Sequence, residues 1–252
     1  DGSYEHLHFP VMFAGDSRAA DILEQFPASL IVRLTGPQEG VLYDALVDRE
    51  FVVSFLDLVR NQDRLRLGNK SQLIGRLILP HEPAPEVCDI AKTKPVRLDR
   101  LNPVIDCNHA CLLKFLRRQE EGLPLDVEFG RYFARRNRSV PVPRLIGQIE
   151  LHRTLYESAS LPSTSLALVS EYVPHEADAW HFTLDSLADI FAVVAANQST
   201  YVHVPAPEQD PSSPTQTIPE KTTGHSLFAS YLDLVRLLAE RTADLHGTLA
   251  LY

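Results

Sequence analysis

Cys111-Leu112-Leu113-Lys114-Phe115-Leu116-Arg117-Arg118 is a short apolar run that carries one lysine and ends in a basic pair. Fourteen residues after Lys114 comes Glu128, inside Leu125-Asp126-Val127-Glu128-Phe129-Gly130-Arg131-Tyr132-Phe133, which reads as the opening of a helix. A lysine on a strand is a point charge on a rigid support, and a carboxylate on the following helix fixes its direction. Together they suit the holding of nucleotide phosphates. The competing reading of Lys114 with Glu128 is an ordinary surface ion pair, worth under ~1 kcal/mol.

Outward from this pair the chain keeps a regular texture. Val104-Ile105 and Ala110 to Leu116 read as two strands with a turn at Cys107-Asn108-His109. Asp126 is placed to cap the helix, and Pro141 and Pro143 end it. Leu145 to Leu155 and Leu166 to Tyr172 read as strands joined by a polar loop, Glu157 to Ser165. The succession is strand, strand, helix, strand, strand.

Toward the amino terminus, residues 1–80 look like a small α+β unit. His6 to Ala14 and Leu30 to Leu34 read as strands, with a short helix from Arg18 to Phe26 behind Gly15-Asp16-Ser17. Gly40 to Asn61 reads as mostly helical, because Asp48 offers a cap and Phe51, Val52, Phe55, Leu56 and Val59 recur at helical spacing. Gln72 to Leu79 reads as a strand. His81-Glu82-Pro83-Ala84-Pro85 and Lys92-Thr93-Lys94-Pro95 read as breaks. Beyond the second strand pair, Thr183 is placed to cap a helix with Leu184, Leu187, Ile190, Phe191 and Val194 on one side. Residues 203–220 contain five prolines and read as an extended loop. Gly224 to Tyr252 reads as a long helix whose stripe runs from Leu227 to Leu249. Uncovered, that stripe invites dimerisation.

The chain has 252 residues, 44% of them hydrophobic, which suffices for one large domain or two modest ones. Net charge is −9, which argues against a nucleic-acid partner. The one dense basic stretch, Arg131 to Arg138, holds four arginines; a solvated helix face is the favoured reading and a phosphate or partner site its rival. No apolar run reaches the ~18 residues of a membrane span, so no membrane partner is expected and a cytoplasmic setting is the default. The three cysteines, Cys88, Cys107 and Cys111, are too few for a disulfide framework. Cys107 and Cys111 are expected in the core, and His109 alone does not complete a zinc set. Trp180 is expected to anchor the segment after the strands, and no Ser-His-Asp constellation stands out around His225 and Ser226.

Taken in order, four segments resemble bacterial maltokinase, including the kinase portion of trehalose synthase/maltokinase fusion proteins. These are Gly40-Val41-Leu42-Tyr43-Asp44-Ala45-Leu46 with Asp48 and Phe51; the Lys114 and Glu128 segments; Leu166-Ala167-Leu168-Val169-Ser170-Glu171-Tyr172-Val173-Pro174 with Asp178-Ala179-Trp180; and Glu240-Arg241-Thr242-Ala243-Asp244-Leu245-His246. The resemblance implies an α+β fold with a protein-kinase-like small lobe, an antiparallel sheet plus a helix. It implies a partial amino-terminal cap over 1–90, the small lobe over 91–174 and the first helices of a helical large lobe over 175–252. The implied reaction is transfer of phosphate from ATP to maltose, with Mg2+, giving maltose 1-phosphate for α-glucan and glycogen synthesis. A trehalose synthase domain or a second copy of the chain is the implied partner.

By the same resemblance Lys114 contacts the α- and β-phosphates, Glu128 pairs with it, Asn102 belongs to the phosphate-side loop, and the backbone of Glu171, Tyr172 and Val173 meets the adenine edge. Two departures stand out. Asn102 is followed by Pro103 and Val104, which removes an N–H and a hydroxyl that phosphate could use. No His-Gly-Asp and no Asp-Phe-Gly segment occurs, so the sequence carries no catalytic base or metal-binding aspartate of that kind and is expected to be an internal fragment. Gly68-Asn69-Lys70-Ser71 mimics the end of a P-loop without its first glycine. Two readings stand beside the first: a degenerate kinase-like interaction module that docks on a trehalose synthase or another glucan enzyme, and a related kinase for another sugar or an aminoglycoside.

Overall fold

The computed structural model describes residues 6–68, 70–78, 93–97, 101–119, 123–135, 142–156, 159–160, 162–196 and 223–251. The fold is α+β, with antiparallel sheets and five α-helices among the described residues. The chain divides into two compact units, 1–174 and 175–252.

Among its described residues the first unit contains two sheets. A three-stranded sheet has the order β1 (Val11–Ala14), β3 (Gly40–Asp44), β2 (Leu30–Leu34). It packs with α1 (Asp16–Gln25) around Ala14, Ile22, Val41, Tyr43 and Val47. The larger sheet runs β4 (Arg64–Arg66), β5 (Ser71–Leu77), β9 (Leu145–Tyr156), β11 (Thr164–Glu171), β8 (Cys111–Phe115), β7 (Val104–Cys107), β6 (Thr93–Arg97), with the short β10 (Ala159–Ser160) paired to β9. β4 and β5, although they precede residue 90, are therefore strands of the same sheet as β6 to β11.

The helical reading of 40–61 is corrected at its start: Gly40–Asp44 is a strand, Ala45–Val47 a single tight turn, and α2 spans Arg49–Asn61. Alternating burial of Val41 and Tyr43 fits this strand. Asp48 caps α2 as expected, its Oδ1 accepting from the Phe51 N–H at 3.1 Å. The Lys92-Thr93-Lys94-Pro95 break is also corrected. Thr93-Lys94-Pro95 opens β6, with Lys92 outside the described residues, and β6 lies at the sheet edge, where a proline costs no ladder bond. The first helix begins at Asp16 with Gly15 as its cap residue and no side-chain cap bond.

The large sheet is covered on both faces. Cys111, Leu113 and Phe115 of β8 face α2, where Phe115 and Phe55 rings stand 6.2 Å apart over a core that includes Ile105, Ile149 and Val169. The opposite face meets α3 (Leu125–Arg135): Val127 packs on Leu145 and Leu168, with Leu116 and Ile78 alongside. A Cβ on Gly130 would lie 2.5 Å from the Leu145 side chain, so glycine there lets α3 settle on β9. β11 is buried along Thr164 to Val169, as befits a strand with a layer on either side.

Buried polar groups tie the two sheets. Arg117 is 4% exposed, donates to Asp44 and lies 4.4 Å over the Phe9 ring. Asp48 accepts from Arg18 and, at 2.8 Å, from the Tyr43 hydroxyl. Burial pushes the Tyr43 phenol up to about 12, helped by its bond to Asp48. Burial alone would raise the Asp48 carboxyl, but the bonds from Tyr43, the Phe51 N–H and Arg18 outweigh it and hold Asp48 below its usual range. A depressed carboxyl contributes stability above its unfolded pKa and loses it as pH falls through the folded one. Stability of the folded chain is therefore expected to fall below about pH 4 through Asp48. Asp48→Asn should flatten the stability–pH curve there, as read by denaturant melts at stepped pH; an unchanged curve would remove Asp48 from the acid response.

In the second unit α4 (Ala179–Ala196) and α5 (Thr223–Leu249) meet through stacked Phe182 and Tyr231 rings, 6.3 Å apart. The expected cap at Thr183 is corrected: Asp178 caps α4 by accepting from the His181 N–H at 2.8 Å, and the Thr183 hydroxyl donates back to Ala179 O. Ile190 is buried, whereas Leu184, Leu187, Phe191, Leu234 and Leu238 are exposed, and Trp180 is 68% exposed. The extended loop read over 203–220 lies outside the described residues.

Candidate functional site

Lys114 sits near the centre of the large sheet, flanked across the ladders by Leu168 of β11 and Val104 of β7. Strand alternation puts it on the face that α3 covers. There a cavity of about 300 Å³ is lined by Asn102, Lys114, Arg118, Asp126 and Ser165, with Leu101, Leu116 and Leu125 as its apolar walls. Two sequence-predicted residues, Lys114 and Asn102, thus meet in one concavity.

The backbone explains how Asn102 arrives there. The Phe115 N–H donates to Pro103 O at 2.9 Å and the Arg117 N–H to Leu101 O at 3.0 Å, so residues 101–103 continue β7 along the end of β8. Pro103 is fully buried. Its ring fills space beside the sheet while its carbonyl serves the ladder, which accounts for a proline where a phosphate donor was expected.

The carboxylate bonded to Lys114 is Asp126, whose Oδ2 accepts from Nζ at 2.6 Å. Glu128 stands two residues further along α3, half-buried. The helix register decides between them. Pro124 O accepts from the N–H groups of Val127 at 2.9 Å and Glu128 at 3.1 Å, which starts α3 at Leu125. Asp126 then falls in the first turn, and residues two apart do not share a helix face. Asp126 was expected as the cap; it serves instead as the lysine's partner. With side chains 35% and 54% exposed, this pair is worth under ~1 kcal/mol, so an anion can displace the carboxylate cheaply.

Glu171, Tyr172 and Val173 lie outside this cavity. Glu171 pairs with Cys111 while Leu168 pairs with Lys114, a separation of three residues or about 10 Å along β11. The Glu171 N–H is already engaged, donating to Arg144 O at 2.8 Å. The Tyr172 ring rests 4.6 Å from His109. His109 is held in turn by the buried Asp106, whose Oδ1 accepts from its backbone N–H at 2.6 Å and whose Oδ2 lies 2.8 Å from its Nδ1.

Arg118 and Ser165 were not singled out from the sequence. Arg118 was within reach: 114, 116 and 118 share a period of two, so the second arginine of the basic pair falls on the lysine's side. Ser165 carries no such signal, because its place depends on β11 pairing across the sheet.

Cys107 and Cys111 face each other across the β7–β8 turn, fully buried with free thiols. The neighbouring Cys111 and burial raise the Cys107 thiol, so it stays protonated. Among the described residues no three His, Cys, Asp or Glu side chains are grouped to hold a metal, and no helix is long and apolar enough to cross a membrane. Compared with known proteins, the chain matches no family model and no curated protein.

Proposed function

We propose that this chain is the cap and nucleotide-binding part of a maltokinase-like, ATP-dependent sugar phosphotransferase of α-glucan metabolism, acting in the cytoplasm. One observation carries the reading: Lys114 and Asn102 line a single polar cavity beneath the first turn of α3, with the lysine on a weakly held carboxylate. The succession β7, β8, α3, β9, β11 supports it, being the strand, strand, helix, strand, strand order of a kinase-like small lobe. In this reading the partial cap is 1–90, the small lobe 91–174 and the large lobe begins after 174.

The chemistry follows from charge. An incoming polyphosphate exchanges with Asp126 at the Lys114 ammonium, and Arg118 adds a second cation in the same cavity. Lys114 then orients the phosphates and offsets their charge. Adenine would lie toward Glu171, Tyr172 and Val173, about 10 Å along the sheet. Glu128 is the partner that the resemblance implies for Lys114, a role that falls here to Asp126. Mg2+ would be held chiefly by the nucleotide's own phosphates, since among the described residues Asp126 is the one carboxylate lining the cavity and Lys114 engages it. Maltose is the acceptor the resemblance implies, and acceptor activation needs a carboxylate that this sequence does not supply in a recognisable loop.

The test is binding. Mg-ATP should raise the melting temperature of the chain, and Lys114→Ala should weaken ATP by at least ~tenfold, about 1.4 kcal/mol. In a protein joining this chain to a catalytic lobe, the same change should abolish maltose phosphorylation. ATP affinity that survives Lys114→Ala would remove the lysine from the site. A second reading, an interaction module docking on a trehalose synthase or another glucan enzyme, is favoured by the engaged Glu171 N–H and the buried Pro103. It requires absence of nucleotide binding together with stable association with such an enzyme.

A further inference from the structure

A second cavity, of about 200 Å³, lies further along α3 and is lined by Arg76, Leu77, Ile78, Arg131 and Arg135. We infer that it is a binding site for a small phosphate monoester, recognised by the three guanidinium groups of Arg76, Arg131 and Arg135.

Four observations converge on it. Arg131 and Arg135 are four residues apart on α3, a like-charge spacing that disfavours the helix by a few tenths of a kcal/mol (~0.2–0.5). Arg76 reaches the same cavity from β5, far away in the sequence, so three cations meet in a chain whose net charge is −9. Arg131 and Arg135 have no ion-pair partner among the described residues.

The fourth observation is that Arg76 is held in place. Its Nε donates to Glu150 Oε2 at 2.8 Å. Glu150 is 9% exposed and is itself gripped by Gln148 and, at 2.9 Å, by His152 Nε2. A guanidinium fixed in plane by a buried carboxylate is prepared for a planar, forked contact. The floor is firm too, because the Ile78 N–H donates to Ile146 O at 2.9 Å.

The chemistry selects the ligand. Three guanidinium groups match a dianion with several acceptor oxygens, and the volume holds a phosphate with a small body, below the ~300 Å³ at which pockets for larger ligands begin. The shared group is phosphate, and its source is either orthophosphate or the ester of a small sugar. This site uses none of the residues around Lys114 and stands whether or not ATP binds there.

Isothermal titration of the whole chain at low salt, with orthophosphate in one arm and glucose 1-phosphate in the other, tests this. Saturable binding is expected in at least one arm, and the tighter arm identifies the source. Arg131→Gln and Arg135→Gln should each weaken it by at least ~tenfold, about 1.4 kcal/mol. Arg131→Lys, which keeps the charge and loses the fork, should fall between; Lys114→Ala should leave it unchanged. Melting curves confirm that each variant is folded. No saturation up to ~10 mM, a concentration matching a Kd too weak to matter, overturns the site. So does undiminished binding by folded Arg131→Gln, or binding lost in Lys114→Ala alone, which would place the anion in the other cavity.

Discussion

Asp44→Ala is expected to destabilise the folded chain by about 3–5 kcal/mol, the cost of leaving a buried charge without its partner. For a chain of this length that corresponds to a fall in melting temperature on the order of 10 °C. Arg117 is the charge in question. It is 4% exposed, its guanidinium bonds Asp44 through Nη2, and its buried Nε has no hydrogen-bond partner among the described residues. The Phe9 ring beneath it helps a cation, yet such a contact is worth only ~0.5–2 kcal/mol and does not replace a carboxylate. Asp44 also caps the turn that follows it, its Oδ1 accepting from the Leu46 N–H at 3.1 Å, so alanine removes two bonds at once. The double variant Asp44→Ala/Arg117→Met should regain more than half of the loss, because an apolar pair removes the stranded charge. Chemical denaturation of the two singles and the double measures this. A single-variant loss below ~1 kcal/mol would show the pair to be solvated and the sheets joined by other means.

That ion pair was invisible to sequence reading, and the reason is general to the fold. Local features were legible. Asp48 and the Val52, Phe55, Leu56, Val59 spacing specify α2 within one segment, and the alternation of Cys111, Leu113 and Phe115 specifies β8. Features set by pairing were not. Gly40–Asp44 read as helix because a five-residue alternation is brief, and its partner β1 lies well upstream. Pro95 read as a break because nothing local says that β6 will be an edge strand.

At the site, Lys114 was legible as a charge on an apolar strand, and Asn102 through the resemblance. The choice between Asp126 and Glu128 was not, since it turns on where α3 begins, and Pro124 sets that by its carbonyl rather than by residue type alone. The meeting of Arg76 with Arg131 and Arg135 needs β5 to pair with β9 and α3 to settle on β9 at Gly130. The basic stretch was therefore readable as charge but not as a cavity.

Gly75→Ala is expected to cost about 3 kcal/mol, the upper end of what overpacking usually does, because here the obstacle is backbone. A Cβ at residue 75 would lie 1.9 Å from Leu58 O, 2.2 Å from its carbonyl carbon and 2.6 Å from the Val59 nitrogen. The last turn of α2 is fastened at that point: the Asp63 N–H donates to Leu58 O at 3.0 Å and the Gly75 N–H to Asp63 O at 3.0 Å. No rotamer relieves the clash, so the helix must lift and break these bonds. Gly147, in the next strand, gives the contrast. Its Cβ would meet Val59 Cγ1 at 2.3 Å, a side chain that can be shortened, and only second the backbone Arg76 O at 2.8 Å. Val59→Ala should accordingly recover part of the loss in Gly147→Ala and none of that in Gly75→Ala, a comparison made by urea melts of the four variants. Since α2 covers the face opposite Lys114, Gly75→Ala should leave ATP affinity intact at temperatures where the chain remains folded. Rescue of Gly75→Ala by Val59→Ala would mean that side chains, not the α2 backbone, set the distance between helix and sheet.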